Sequence, residues 1–276
     1  MGLVPTPIPP ETRAHLTAPP APRWCADLLA DPSLQPIRAS SRVKRPSTTS
    51  CALIGETLNT EDTFRAWQCF YRAASSSRRN ENENENDNGT DNNANVNASG
   101  DADADADTDA ILRTKKGDGR RSGTNPPPDV DELLILFSLG TGMDGHAGVL
   151  HGGILAVMFD EVLGTLAAGL QSQQQQQQQR TQPPGEVEEE EENQSNQGPN
   201  PDWTAIYTVS MTIRFRRPLT TPAFVLGRSW CDAERTRGRK VWVRGVLEDG
   251  EGGVFAEGEA LYVERKKKQK RRISNL

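Results

Sequence analysis

GHAGVLHGGILAVMFDEVLG, residues 145–164, carries two of the chain's three histidines, a glycine pair, and an apolar run broken by Asp160 and Glu161. Extended to Leu170, the run holds Ala, Leu and Met throughout with few polar positions, which predicts a helix buried on nearly all sides. Two adjacent carboxylates in the middle of such a helix are costly to desolvate and call for a chemical reason. The helix opening supplies half of one. Gly152 and Gly153 lack Cβ atoms, so a substrate carbonyl can approach their free amide N–H groups, where the helix dipole favours negative charge. Asp160, set among Met158, Phe159 and Val162, is expected to be buried with its pKa raised by desolvation, which suits a general base or a carboxylate nucleophile. Glu161 leaves the helix about 100 degrees round from Asp160 and reads as a structural or interface residue.

Strands surround this helix in the sequence. DELLILFSLGTG, residues 131–142, reads as a strand ending in a Gly-rich turn. TAIYTVSMTIRFRRP alternates, which places Val209, Met211, Ile213 and Phe215 toward a core and Thr208, Ser210, Thr212 and Arg214 the other way. Pro218 ends that strand, and FVLGRSWCDAER, RKVWVRGVLEDG and GGVFAEGEALYVE predict three more, joined by the turn-like TRGR and EDGEGG. Ala256, Gly258 and Ala260 put small groups on one face of the last strand, where a helix can pack closely. AWQCFYR, residues 66–72, is read as a first strand paired with LLILFSL, although TEDTFRAW equally suits a short helix. The predicted class is α+β, one long buried helix across a curved antiparallel sheet.

Only 34% of the 276 residues are hydrophobic, so much of the length must lie outside any core. Two stretches account for it. One, about residues 75–129, includes NENENENDN, DADADAD and NPPPD; the other, about 171–201, includes seven consecutive glutamines from Gln173 and EVEEEEE. Neither has enough apolar surface to offset the entropy of ordering it, and both read as solvated insertions in surface loops. The expected organisation is an ill-defined segment 1–51, one domain over 52–264 with those two insertions, and a disordered basic tail over 265–276. That tail, which continues the run ERKKKQKRR, reads as a solubilising terminus, with a nuclear-localisation or anionic-surface patch as the alternative. A net charge of -6 and a pI near 5.3 give no electrostatic reason to expect nucleic-acid binding. Cys25, Cys51, Cys69 and Cys231 lack CxxC or metal-type spacing, and no secretory leader or uninterrupted membrane span is recognised, so the expectation is a soluble, cytoplasmic protein without a metal site. MGLVPT matches a short myristoylation pattern that often occurs by chance.

The order of elements, with HGG opening the helix, Asp160 nine positions after His151, and a later strand running into RRP, resembles the hotdog-fold acyl-CoA thioesterases of the PaaI-like group, most of all its fungal members. The resemblance covers about residues 52–74, 130–170 and 202–264, including GRK at 238–240 and the closing AEGEALYVE; residues 1–51 carry none of it. It implies helix-start amide donors at the HGG motif and a catalytic carboxylate at Asp160, with Thr208 a polar helper that orients water or the carboxylate. It also implies dimers of hotdog subunits, sometimes paired into tetramers, acting on an acyl-CoA with no cofactor beyond the substrate's own CoA.

No GxSxG elbow is present, and none of the four cysteines sits beside a histidine in a recognisable motif. His151 either caps the helix or positions substrate, with direct proton transfer a third role. His146 lies in a Gly-rich loop and lines the entrance in this reading. Arg216, Arg217, Arg239 and Lys240 are candidates for holding CoA phosphates, against the bland alternative of solvated charges beside turns. A catalytically silent acyl-CoA-binding hotdog protein is the rival reading, and a hotdog hydratase is a weaker one for want of a His/Asp pair. The expected assembly is a homodimer or dimer of dimers. Gly152 and Asp160 stand eight residues apart, about 12 Å along one helix, so one thioester carbon cannot touch both within a single chain.

Overall fold

The computed structural model describes residues 3–43, 49, 51–74, 131–180 and 206–264, with backbone alone for 174–180. The first insertion, most of the second and the basic tail lie outside the described residues. The described chain runs α1 (Pro10–Thr17), α2 (Arg23–Ala30), β1 (Gln35–Ile37), a 3-10 turn (Ser40–Arg42), a π turn (Leu53–Thr57), β2 (Phe64–Arg72), β3 (Glu132–Leu139), a hairpin of β4 (Asp144–His146) and β5 (Val149–Leu150), α3 (Gly152–Arg180), β6 (Ile206–Phe215), β7 (Ala223–Cys231), β8 (Lys240–Glu248) and β9 (Val254–Glu264).

Seven strands form one antiparallel sheet in the order β1-β2-β3-β7-β8-β9-β6, and α3 lies against its inner face. This is the α+β hotdog arrangement the sequence predicts. TEDT is a turn and the strand begins at Phe64, pairing Trp67 with Phe137 and Cys69 with Ile135. Three glycines let the helix approach. A Cβ at Gly227 would meet Val162 at 2.5 Å, one at Gly245 would meet Leu163 at 2.8 Å, and one at Gly258 would meet the Phe159 ring at 3.0 Å. Leu155, Met158, Phe159, Val162, Leu163, Leu166 and Ala167 are buried there, so the apolar segment Gly152–Gln173, long enough to cross a membrane by length and composition, serves as the core helix. Ser229 donates to the Val162 carbonyl at 3.0 Å, tying β7 to the helix backbone.

Three expectations change. The helix does not stop at residue 170 but continues to Arg180, because glutamine is a good helix former and the buried Gln171 and Ser172 extend its contact with the body. Residues 1–51 are not ill defined where they are described: α1, α2 and the loops around them cover the outer sheet face, burying Ile8, Leu16, Cys25 and Leu34 against Ala66, Phe70, Leu134, Leu136 and Leu226. That face is further clasped by Glu132, which pairs with Arg72 at 2.7 Å and Arg228 at 2.6 Å, while Arg72 also reaches Asp31 at the end of α2. The third change concerns β6. Met211 and Ile213 pack on the core, but Val209, at a slip in the pairing with β9 between Thr208 and Ser210, and Phe215, at the end of this edge strand, are each 59% exposed.

Candidate functional site

The hairpin before α3 is built around Asp144. Its carboxylate accepts from the Gly148 amide at 2.9 Å and from the Thr221 hydroxyl, and Gly148 takes the positive φ of 70° that the turn requires. The turn holds His146 exposed and brings Gly145 against the His151 ring. His151 takes its capping alternative, and the correction falls on Gly153. The histidine Nδ1 accepts from the Gly153 N–H at 2.9 Å, so the side chain caps α3 and the Gly153 amide is not free. An Nδ1 that accepts leaves the neutral imidazole proton on Nε2, available as an outward donor. Gly152 is exposed, and a Cβ there would touch the Phe215 ring at 3.7 Å, an ordinary van der Waals contact.

Two turns on, Asp160 accepts from the Thr208 hydroxyl at 2.9 Å. The Tyr262 hydroxyl also reaches it, 3.3 Å from Oδ1 and 3.4 Å from its backbone carbonyl. The structure thus brings together two residues, Asp160 and Thr208, that lie 48 positions apart in sequence. It also corrects their setting: Asp160 is exposed in the single chain, while Met158, Phe159 and Val162 turn away from it into the core. Glu161 beside it is half-buried, and its carboxyl is pushed up to about 7, chiefly by desolvation, with Ser41 pulling down and Asp160 pushing up. Tyr262 is held well above its usual range by burial and then by Asp160, so it stays a hydrogen-bond donor.

Sequence reading missed Tyr262 and the desolvation of Glu161. Tyr262 was within reach: it continues the alternate positions Ala256, Gly258 and Ala260 that face the helix.

The basic candidates divide. Arg217 is committed to Asp249 at 2.6 Å and the Gly253 carbonyl at 2.7 Å, and lies over the Phe255 ring at 4.1 Å. Arg216 pairs with Glu257. Arg239 donates to the Glu264 carbonyl at 2.8 Å, and Lys240 sits exposed opposite Val263. Phe255 and Val263 are eight residues apart on β9, about 26 Å, so Arg217 and the Arg239/Lys240 pair occupy opposite ends of the sheet. One substrate phosphate cannot use both within one chain.

No protein-family model and no curated protein sequence matches the chain. Among solved structures it is similar to a thioesterase superfamily protein, with 20% identity over 48% of this chain and 49% of that one and a TM-score of 0.33, so the match spans about half of that neighbour. A phenylacetic acid degradation-related protein from Ralstonia eutropha matches with 20% identity over 48% of this chain and 75% of that one, TM-score 0.32. A Bacillus halodurans protein solved with CoA matches with 16% identity over 49% and 69%, TM-score 0.31.

Proposed function

We propose that the chain is a thioester hydrolase of the PaaI-like hotdog group, close to its fungal members, that splits an acyl-CoA into free acid and CoA. The observation that carries the proposal is the carboxylate of Asp160, presented to solvent on a buried helix and gripped by Thr208 and Tyr262. A carboxylate needed only for packing would not be aimed outward with two hydroxyls orienting it. In this reading Asp160 activates water or attacks the thioester carbon, Thr208 orients it, and the Gly152 amide with the His151 Nε2–H polarises the carbonyl. Arg239 and Lys240 meet the CoA phosphates, and Arg217 braces the β8–β9 turn. The reading places the enzyme in the cytoplasm.

The site is completed by a second copy. β6 is an edge strand with Tyr207, Val209 and Phe215 exposed by 56%, 59% and 59%, an apolar edge with open backbone groups that a partner strand would cover. In one chain the Phe215 end of β6 lies beside Gly152 and the Thr208 end beside Asp160. Antiparallel pairing of two β6 strands about a twofold axis brings the Gly152 end of one chain to the Asp160 of the other.

The test is a panel of acyl-CoA substrates of different chain length, with free thiol as readout, on wild type and Asp160→Asn. Wild type turns over at least one substrate, and the nearly isosteric variant loses at least about a hundredfold in kcat while keeping its fold. Equal rates in the two proteins would remove Asp160 from the chemistry. Binding of acyl-CoA without turnover by wild type would favour the silent acyl-CoA-binding reading.

A further inference from the structure

We infer that α1 and α2 hold the place of a second copy of this chain on the outer face of the sheet, so that the assembly stops at a pair and the covered face is a latent interface. The inference rests on the β6 pairing proposed above and not on the chemistry of the site. The face itself is built for packing. Phe70 stands opposite Leu134 and Leu136 opposite Leu226, so β2, β3 and β7 present one continuous apolar surface on the side away from α3. Glu132, Arg72, Arg228 and Glu248 form a linked ionic border along it. An apolar centre with a charged border suits a surface that meets protein rather than water.

What meets it is an earlier part of the same chain. Leu16 of α1 and Cys25 of α2 are fully buried on it, with Ile8 and Leu34 beside them. The cover is also fixed at its margins. β1 lies along the β2 edge from Cys69 to Tyr71, and its far side is taken by the Thr6 amide, which donates to the Pro36 carbonyl at 3.0 Å, and by the Val4 carbonyl, which accepts from the Arg38 amide at 3.2 Å. Trp24 of α2 lies so close over the β8–β9 turn that a Cβ at Gly250 would stand 2.3 Å from its ring. These contacts blunt one edge of the sheet and cover its outer face, whereas β6 at the other edge stays open.

The layer has room for one occupant. Sheets pack face to face at about 10 Å, and a helix with its side chains is about 10–12 Å across, so α1 and α2 fill the space a second sheet would need. The copy is the occupant that the β6 pairing favours. Antiparallel pairing of two β6 strands about a twofold axis normal to the sheet keeps both outer faces on one side. Two such pairs with bare faces meet through both faces at once, and the assembly closes at four chains.

The experiment measures the mass of the full chain in solution by light scattering over a wide range of concentration, for wild type, Leu16→Glu, and Leu16→Glu combined with Leu136→Glu. Leu16→Glu puts a charge under α1 and lifts the cover without altering the sheet. Wild type should have the mass of two chains of 30.3 kDa each. Leu16→Glu, shown to be folded by circular dichroism, should have twice the wild-type mass, and the added charge of Leu136→Glu on the bared face should return it to the wild-type mass. A wild-type assembly of four chains overturns the inference and leaves the β6 pairing standing. So does a folded Leu16→Glu that keeps the wild-type mass or aggregates without limit, and so does a doubling that survives Leu136→Glu. A wild-type chain that stays single overturns both. If Leu16→Glu does not fold, Ile8→Ala with Leu16→Ala loosens the cover without a buried charge and is read in the same way. Unfolding of that variant too would make α1 an inseparable part of the core and overturn the inference.

Discussion

Glu161→Gln changes stability, with a sign and size that follow from the site. In the folded chain the Glu161 carboxyl stands at about 7, against an ordinary 4.5, mainly because burial penalises the charged form. A folded state that holds a proton more tightly than the unfolded chain gains from that group at low pH. The contribution is full below about pH 4.5 and is lost as pH rises through about 7. At about 1.36 kcal/mol for each pH unit of difference, the loss is about 3 kcal/mol. Glutamine keeps the shape and does not titrate. Urea unfolding of wild type and Glu161→Gln, at one protein concentration and at steps between about pH 4.5 and 8, should therefore show the variant gaining on wild type by about 3 kcal/mol over that window. Titrating groups that do not interact with Glu161 cancel in the difference. Two stability curves that stay parallel from end to end would mean that Glu161 is hydrated in the folded chain, and the reasoning from burial would fail.

The shared site is tested by mixing two inactive variants, Asp160→Asn and Gly153→Val, the second chosen because a Cβ there would sit 2.9 Å from His151 Nδ1 and displace the helix cap. Random subunit exchange yields half heterodimers, each with one intact site, so activity should return to about a quarter of wild type; a mixture that stays inactive after exchange is confirmed by mass rules the shared site out. Gly258→Val forces atoms against the Phe159 ring and the Thr212 carbonyl and should cost about 1–3 kcal/mol in urea melts, whereas a neutral result would deny the close helix approach. Leu16→Ala removes a fully buried side chain from α1 and should cost about 2–5 kcal/mol, while no change would mean that α1 does not cover the sheet.

The fold was legible where a signal was local and periodic. The 145–170 run announced a buried helix, the alternation in 223–264 announced antiparallel strands, and Ala256, Gly258 and Ala260 marked the face on which the helix rests. The HGG spacing led to Asp160, and Thr208 was found only through the family resemblance. Periodicity failed at β6, where one bulge turned Val209 outward and no residue type records a slipped register. It failed again at the glutamines, whose low complexity concealed their capacity to prolong a helix already held by its neighbours.

Which of two adjacent carboxylates is buried was a tertiary decision. Both occupy the same apolar stretch, and composition treats them alike. What separates them is the packing around α3: Glu161 turns into a half-buried setting, while the β6 edge leaves Asp160 open beside Thr208. The cap on Gly153 was decided in the same way, by the Asp144 hairpin that carries His151 to the helix end. The sequence by itself determined the elements and the residue types able to do chemistry, because backbone propensity and hydrophobic period act over a few neighbouring positions. Only the tertiary structure decided solvation, and with it which carboxylate stands open to solvent between two hydroxyls, because desolvation and hydrogen bonding depend on segments far apart in the chain.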